Sequence, residues 1–184
     1  MRSNKSGLTK VLSCLISDIV TVVAPIIVIV ALCSSVFAQN YPTKRFDVTS
    51  TYAETLGDAA ESYLTSQSKY WTGNDIELHS KCLIRSTPGE SSGNTRFAYD
   101  DGKVYADMHV IGSQTEVLMS VLPHETNHVI FAHIFPRQIP RWLDEGASTL
   151  FERPQDQEIP ASVLRQIAGT SEWMPLSELM RYKE

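Results

Sequence analysis

Apolar residues recur three and four positions apart from Tyr52 onward. Tyr52, Leu56, Ala59, Ala60, Tyr63 and Leu64 form one stripe, the signature of a helix with a buried face. Thr51 and Glu54 stand at capping-box spacing before it. The pattern predicts a helix over "TYAETLGDAAESYLTSQSKYW", packed on a sheet. From Asp75 the period falls to two. Ile76, Leu78, Cys82 and Ile84 share one face of an expected strand, and Glu77, His79, Lys81 and Arg85 share the other. A shorter strand is expected around Phe46 to Val48. "PGESSGNT" has the composition of a loop. "RFAYDDGKVYADMHVIG" predicts a hairpin turning at Asp100 to Lys103, with Asp-Gly in the turn.

The helical period returns at Ser113. Ser113 and Glu116 form a second capping pair, and Val117, Leu118, Val121 and Leu122 open an apolar face. Pro123 cannot donate a backbone hydrogen bond, so a kink or a fresh helix is expected there. His124 through Phe135 continue as helix, and "FPRQIP" breaks it. A further helix is expected from near Pro140 to before Pro154, and a short one in "PASVLRQIAGT". There is no internal repeat and no low-complexity tract.

The first forty residues differ in kind. Arg2, Lys5 and Lys10 precede an uncharged run from Ile19 to Ala38. Residues 1–38 read either as a cleaved signal peptide ending at Val36-Phe37-Ala38 or as an uncleaved membrane anchor. The basic start stays cytoplasmic in both cases, and the remainder is exported, secreted or periplasmic or tethered to the membrane. Residues 39–45 read as a linker, and 46–184 as one domain. Two of the three cysteines lie in the leading segment, so Cys82 has no partner for an intrachain disulfide in the exported part. A net charge of -5 without a Lys/Arg cluster argues against nucleic acid as the partner.

The chemistry concentrates in "LPHETNHVI". Residues four apart on a helix stand on one face, so His124 and His128 can present ring nitrogens to one point. Zinc takes imidazole nitrogen in tetrahedral geometry. Glu125 projects beside the pair, placed to reach a water rather than the ion. This is the H-E-x-x-H arrangement. A catalytic zinc needs a third protein ligand and one open position. Glu145 in "PRWLDEGAS", on the next expected helix, is the candidate, with Trp142 and Leu143 anchoring that helix and Gly146 leaving room. The competing reading of Glu145 is a solvated acid at a helix start. His79 and His109 read as sheet-face residues, and His133 as a helix-end histidine favoured by the dipole. Arg137 and Arg141 read as surface groups.

"LPHETNHVIFAHIFPRQIPRWLDEGAS" resembles the gluzincin metallopeptidases, and more closely the peptidase MA-like proteins, in which H-E-x-x-H is followed by W-L-x-E-G. The resemblance covers about Phe46 to the C-terminus, and its specific part is Pro123 to Ala147. It implies an α+β fold: a thermolysin-like zincin half-domain, with a small mixed sheet and hairpin packed on a zinc-binding helix pair. It implies one zinc ion held by His124, His128 and Glu145, with Glu125 as catalytic base. The implied activity is hydrolysis of peptide bonds in a peptide or protein substrate, held by edge pairing along Val104 to Ile111. The chain departs from the family at Thr149, where an Asp usually supports a histidine. Of the usual downstream tyrosines it offers only Tyr182. Relatives usually continue with further helices, so a C-terminally shortened or a divergent copy is implied. The competing expectation is a non-catalytic zincin-like binding domain, secreted or tethered.

Overall fold

The computed structural model describes residues 37–135 and 139–180. Residues 1–36 of the expected export segment, Arg137 and Tyr182 therefore lie outside the described residues. Among the described residues no helix is long and apolar enough to cross a membrane.

The fold is α+β, with one five-stranded mixed sheet in the order β1-β2-β3-β5-β4. Strand β1 is Gln39–Pro42, β2 Phe46–Ser50, β3 Cys82–Thr87, β4 Ser92–Asp100 and β5 Lys103–Ile111. The β2/β3 and β3/β5 pairs are parallel, and the outer pairs β1/β2 and β4/β5 antiparallel. Helix α1, Ala53–Thr72, connects β2 to β3. A short α2, Gln114–Glu116, leads through a π-turn at Val117–Val121 into α3, Leu122–Ile134. Helices α4 (Arg141–Thr149), α5 (Pro154–Ile167) and α6 (Leu176–Leu179) follow.

Alternation sets the core. Phe46 and Val48 of β2, Cys82 and Ile84 of β3, and Met108 and Val110 of β5 are buried on one sheet face. Leu56, Ala60 and Leu64 of α1 and Val117, Leu122 and Ile130 from the later helical run cover them. Burying each such side chain contributes about 1.5–3 kcal/mol. The opposite sheet face is polar, with Arg85 bound to both carboxylate oxygens of Asp107 at 2.8 and 2.6 Å.

Several local expectations change. Residues 39–42 form a strand rather than a linker, paired to β2 from Gln39↔Ser50 to Pro42↔Asp47. No side chain caps α1; Ser50 Oγ instead accepts from the Tyr52 amide at 3.2 Å. The segment through His79 is not strand, because β3 begins at Cys82. "SGNT" belongs to β4, since pairing with β5 carries through to Ser92↔Ile111 despite poor strand propensity. The Asp101–Gly102 turn adopts positive φ at both residues, 46° and 72°, as the hairpin demands. Strand β5 lies between β3 and β4, so Val104–Ile111 is not an edge; among the described residues the sheet ends in β1 and β4.

The α-helix starts afresh at Leu122 with Pro123 in its first turn, close to the expected start, and it follows directly on the π-turn. The Leu122 amide reaches back to Val117 O, five residues away. The next bond in that register would need an N–H on Pro123, so Leu118 O is left without an intrahelical donor. The Tyr63 hydroxyl of α1 donates to it at 2.8 Å. One turn further along α1, Gln67 Nε2 donates to Pro123 O at 2.9 Å. Both bonds tie this passage to α1.

Candidate metal centre

Helix α3 presents His124 and His128 with ring centroids 4.9 Å apart. Helix α4 packs beside α3 and brings Glu145 to the pair. Glu145 Oε2 lies 3.4 Å from His124 Nε2 and 3.8 Å from His128 Nε2. Ligands about 2.0–2.1 Å from a tetrahedral ion stand about 3.3 Å from one another. The donor types suit zinc, and the two distances from Glu145 Oε2 to the ring nitrogens are near that spacing.

Glu125 is a rival for the third position, because its carboxylate and both histidines have donor atoms within 4.8 Å of one another. Its surroundings favour a different use. Glu125 is buried, and Thr95 Oγ1 of β4 donates to its Oε2 at 2.6 Å. Gly93 of the same strand lies against it, so close that a Cβ there would sit 2.3 Å from Glu125 Oε1. Burial raises the Glu125 pKa, and the Thr95 bond and the two histidines only partly offset that rise. A carboxylate held in this way suits taking and returning a proton.

Both histidines are held at Nδ1 by groups that sequence reasoning missed. Glu152, in the turn before α5, places Oε1 2.5 Å from His124 Nδ1. Asp144 Oδ1 lies 2.8 Å from His128 Nδ1, and Ser148 Oγ lies 3.3 Å from the same nitrogen. A ring that gives its hydrogen at Nδ1 leaves Nε2 free for a metal. Burial alone would lower the His128 pKa, but Asp144 and the neighbouring glutamates outweigh it and the net direction is up. Thr149, where relatives of the resembled family carry Asp, turns its hydroxyl back to Glu145 O at 3.0 Å. Glu152 lies three residues further on. Its spacing alone carried no signal, because the turn at Leu150–Glu152 decides where it points.

Other expectations meet mixed outcomes. Ala147 is buried against the core, but Leu143 is partly exposed at 39% and does not anchor α4. A Cβ on Gly146 would meet open space, so no close packing requires glycine there. Arg141 is largely exposed, with Nε 3.6 Å from Glu145 Oε1. His109 of β5 bonds Thr87 Oγ1 at 2.9 Å on the polar sheet face. His133 is not a dipole-favoured cation. Its ring stacks on His79 at 5.0 Å, Nδ1 bonds Val129 O at 2.8 Å, and burial lowers its pKa.

The donor atoms open on a cleft of about 810 Å³ between the edge strand β4 and the helices, floored by His124, Glu125, His128 and Glu145. In comparison with known proteins, no family model, no curated protein and no solved structure matches the chain.

Proposed function

We propose that this chain is an exported zinc-dependent peptidase of the gluzincin type, with a thermolysin-like half-domain fold. The carrying observation is the convergence of His124 Nε2, His128 Nε2 and Glu145 Oε2 beside a buried, raised-pKa Glu125 at the floor of an open cleft. One zinc ion held by these three residues would polarise a scissile carbonyl and lower the pKa of water beside it. Glu125 then takes a proton on its carboxylate and delivers it to the departing amine. Thr95 keeps that carboxylate aimed while it changes charge. The free edge of β4 offers main-chain hydrogen bonds to an extended peptide, which places its backbone across Glu125. Arg141 also lines the cleft, with its Nε 3.6 Å from Glu145 Oε1. A non-catalytic binding domain is the competing reading, but such a site has no use for a desolvated carboxylate beside the ligands, which costs stability.

Zinc content and peptide hydrolysis test the proposal together. Wild type should hold one zinc, and His124→Ala should lose it. Glu125→Gln should keep the metal and lose hydrolysis. Equal zinc in wild type and His124→Ala would sink the site, and full activity in Glu125→Gln would remove Glu125 as base.

A further inference from the structure

A directed series of hydrogen bonds runs from α1 to the candidate ligand His128. Trp71 Nε1 donates to Asn127 Oδ1 at 2.6 Å. Asn127 Nδ2 donates to Ser148 Oγ at 3.1 Å. Ser148 Oγ donates to the main-chain carbonyl of Asp144 at 2.9 Å and lies 3.3 Å from His128 Nδ1.

The direction follows from what each group can give. An indole N–H only donates, so it holds the Asn127 amide with oxygen toward Trp71 and nitrogen toward Ser148. A hydroxyl has one hydrogen, and that of Ser148 is given to Asp144 O. Ser148 Oγ can then only accept from His128, whose hydrogen therefore sits on Nδ1. The Asp144 carboxylate beside the same nitrogen favours the same arrangement. Asn127 and Ser148 are both 0% exposed, so solvent cannot replace either partner. The indole is itself fixed, edge-on to Phe131 and Phe151 at 5.1 and 6.0 Å. The series also ties three helices, and Ser148 lies one turn from Glu145 on α4.

We propose that Trp71, Asn127 and Ser148 are positioning residues for the metal site. They hold α4 against α3 at the register that brings Glu145 to the histidines, and they keep the His128 hydrogen on Nδ1. None of the three donates an atom to the ion. This rests on the metal-site reading above, and the test separates the two.

Zinc affinity of the full chain would be measured by chelator competition for wild type, Trp71→Phe, Ser148→Ala and Tyr63→Phe. Trp71→Phe removes the donor and keeps the aromatic packing. Tyr63→Phe removes another α1 hydrogen bond, the one to Leu118 O, and serves as the control for stability alone. Trp71→Phe and Ser148→Ala should weaken zinc binding by about 10–100-fold, the usual effect of losing an outer partner. Tyr63→Phe should lower the melting temperature and leave zinc affinity unchanged. Long-range ¹H–¹⁵N spectra of metal-free wild type at pH 9 should show His128 with its hydrogen on Nδ1. Wild type that binds no zinc overturns the metal reading itself. Wild type that binds zinc while Trp71→Phe binds it equally well overturns only the positioning role. So does an Nε2–H tautomer in wild type. If Ser148→Ala does not fold, Trp71→Phe and the wild-type spectrum still decide.

Discussion

Replacing Gly93 with alanine should silence hydrolysis without emptying the metal site. An alanine Cβ would stand 2.3 Å from Glu125 Oε1, 2.7 Å from Cγ and 2.8 Å from Cδ. Ordinary contact between such atoms is about 3.5 Å. The carboxylate must therefore retreat by about 1 Å, or β4 must move away by as much. Either movement stretches the 2.6 Å bond from Thr95 Oγ1. A misplacement of about 1 Å in a reacting group costs about 10²-fold in rate. That corresponds to about 2.7 kcal/mol of lost transition-state stabilisation. The candidate ligand atoms are His124 Nε2, His128 Nε2 and Glu145 Oε2, and none of the close approaches to Gly93 involves them. The assay pairs kcat/KM on a peptide with bound zinc by elemental analysis. Gly93→Ala should lose about two orders of magnitude in kcat/KM at undiminished zinc content. Activity within twofold of wild type would refute the steric argument. Loss of zinc in parallel with activity would show that Gly93 acts on the ligands and not on Glu125.

Three further outcomes follow from the same structure. Glu152→Ala should weaken zinc binding by about 10–100-fold, because His124 loses its Nδ1 partner; chelator competition would show this, and an unchanged affinity would make Glu152 incidental. Arg45 is 5% exposed and bonded to Glu61 and Asp75. Burial would raise the pKa of each acid, but hydrogen bonds outweigh it and hold both below their ordinary values, chiefly from Thr43 and Arg45 for Glu61 and from Arg45 for Asp75. Unfolded chains bind these protons at higher pH than folded ones, so the stabilisation is complete above about pH 4–5 and is lost as pH falls through the lowered folded values. Urea melts between pH 6 and pH 3 should show that loss, with a shallower slope in Glu61→Gln. Finally, burial and the nearby Asp107 charge push the Cys82 thiol up to about 12, so it should resist iodoacetamide at pH 8 until the protein unfolds; peptide mass spectrometry at Cys82 reads this directly.

The residues whose pattern is local were readable from the chain. The α1 stripe, the Asp-Gly hairpin, the Ser113–Glu116 capping box and the four-residue spacing of His124 and His128 each state their structure within a few positions. Glu145 was readable as a donor only because a short break between helices brings them side by side. Partners set by long-range packing were not readable. Glu152 depends on a tight turn, and Asn127 and Trp71 meet only through the packing of α3 on α1, which no local pattern announces. Arg45 gave no hint that it would be buried, because its two carboxylates come from Glu61 and Asp75, brought together only by the β2–α1–β3 crossover. The position of β5 inside the sheet was hidden for the same reason. A hairpin specifies its own two strands, not which of them meets a third.

The π-turn at Val117–Val121 has a bearing on how this chain can change. Each residue of an α-helix advances by about 100°, and a wide turn that takes up one extra residue absorbs that rotation, so the sequence period shifts by one position across it. The core-facing phase of Val117 and Val121 is thereby uncoupled from the cleft-facing phase of His124 and His128. Substitutions that repack the apolar lead-in can accumulate without turning the histidines off target. Loss of a single residue between Val117 and Val121 would close the wide turn to an ordinary α-turn and leave both faces in phase, whereas a loss elsewhere in α3 would swing the histidines by about 100°.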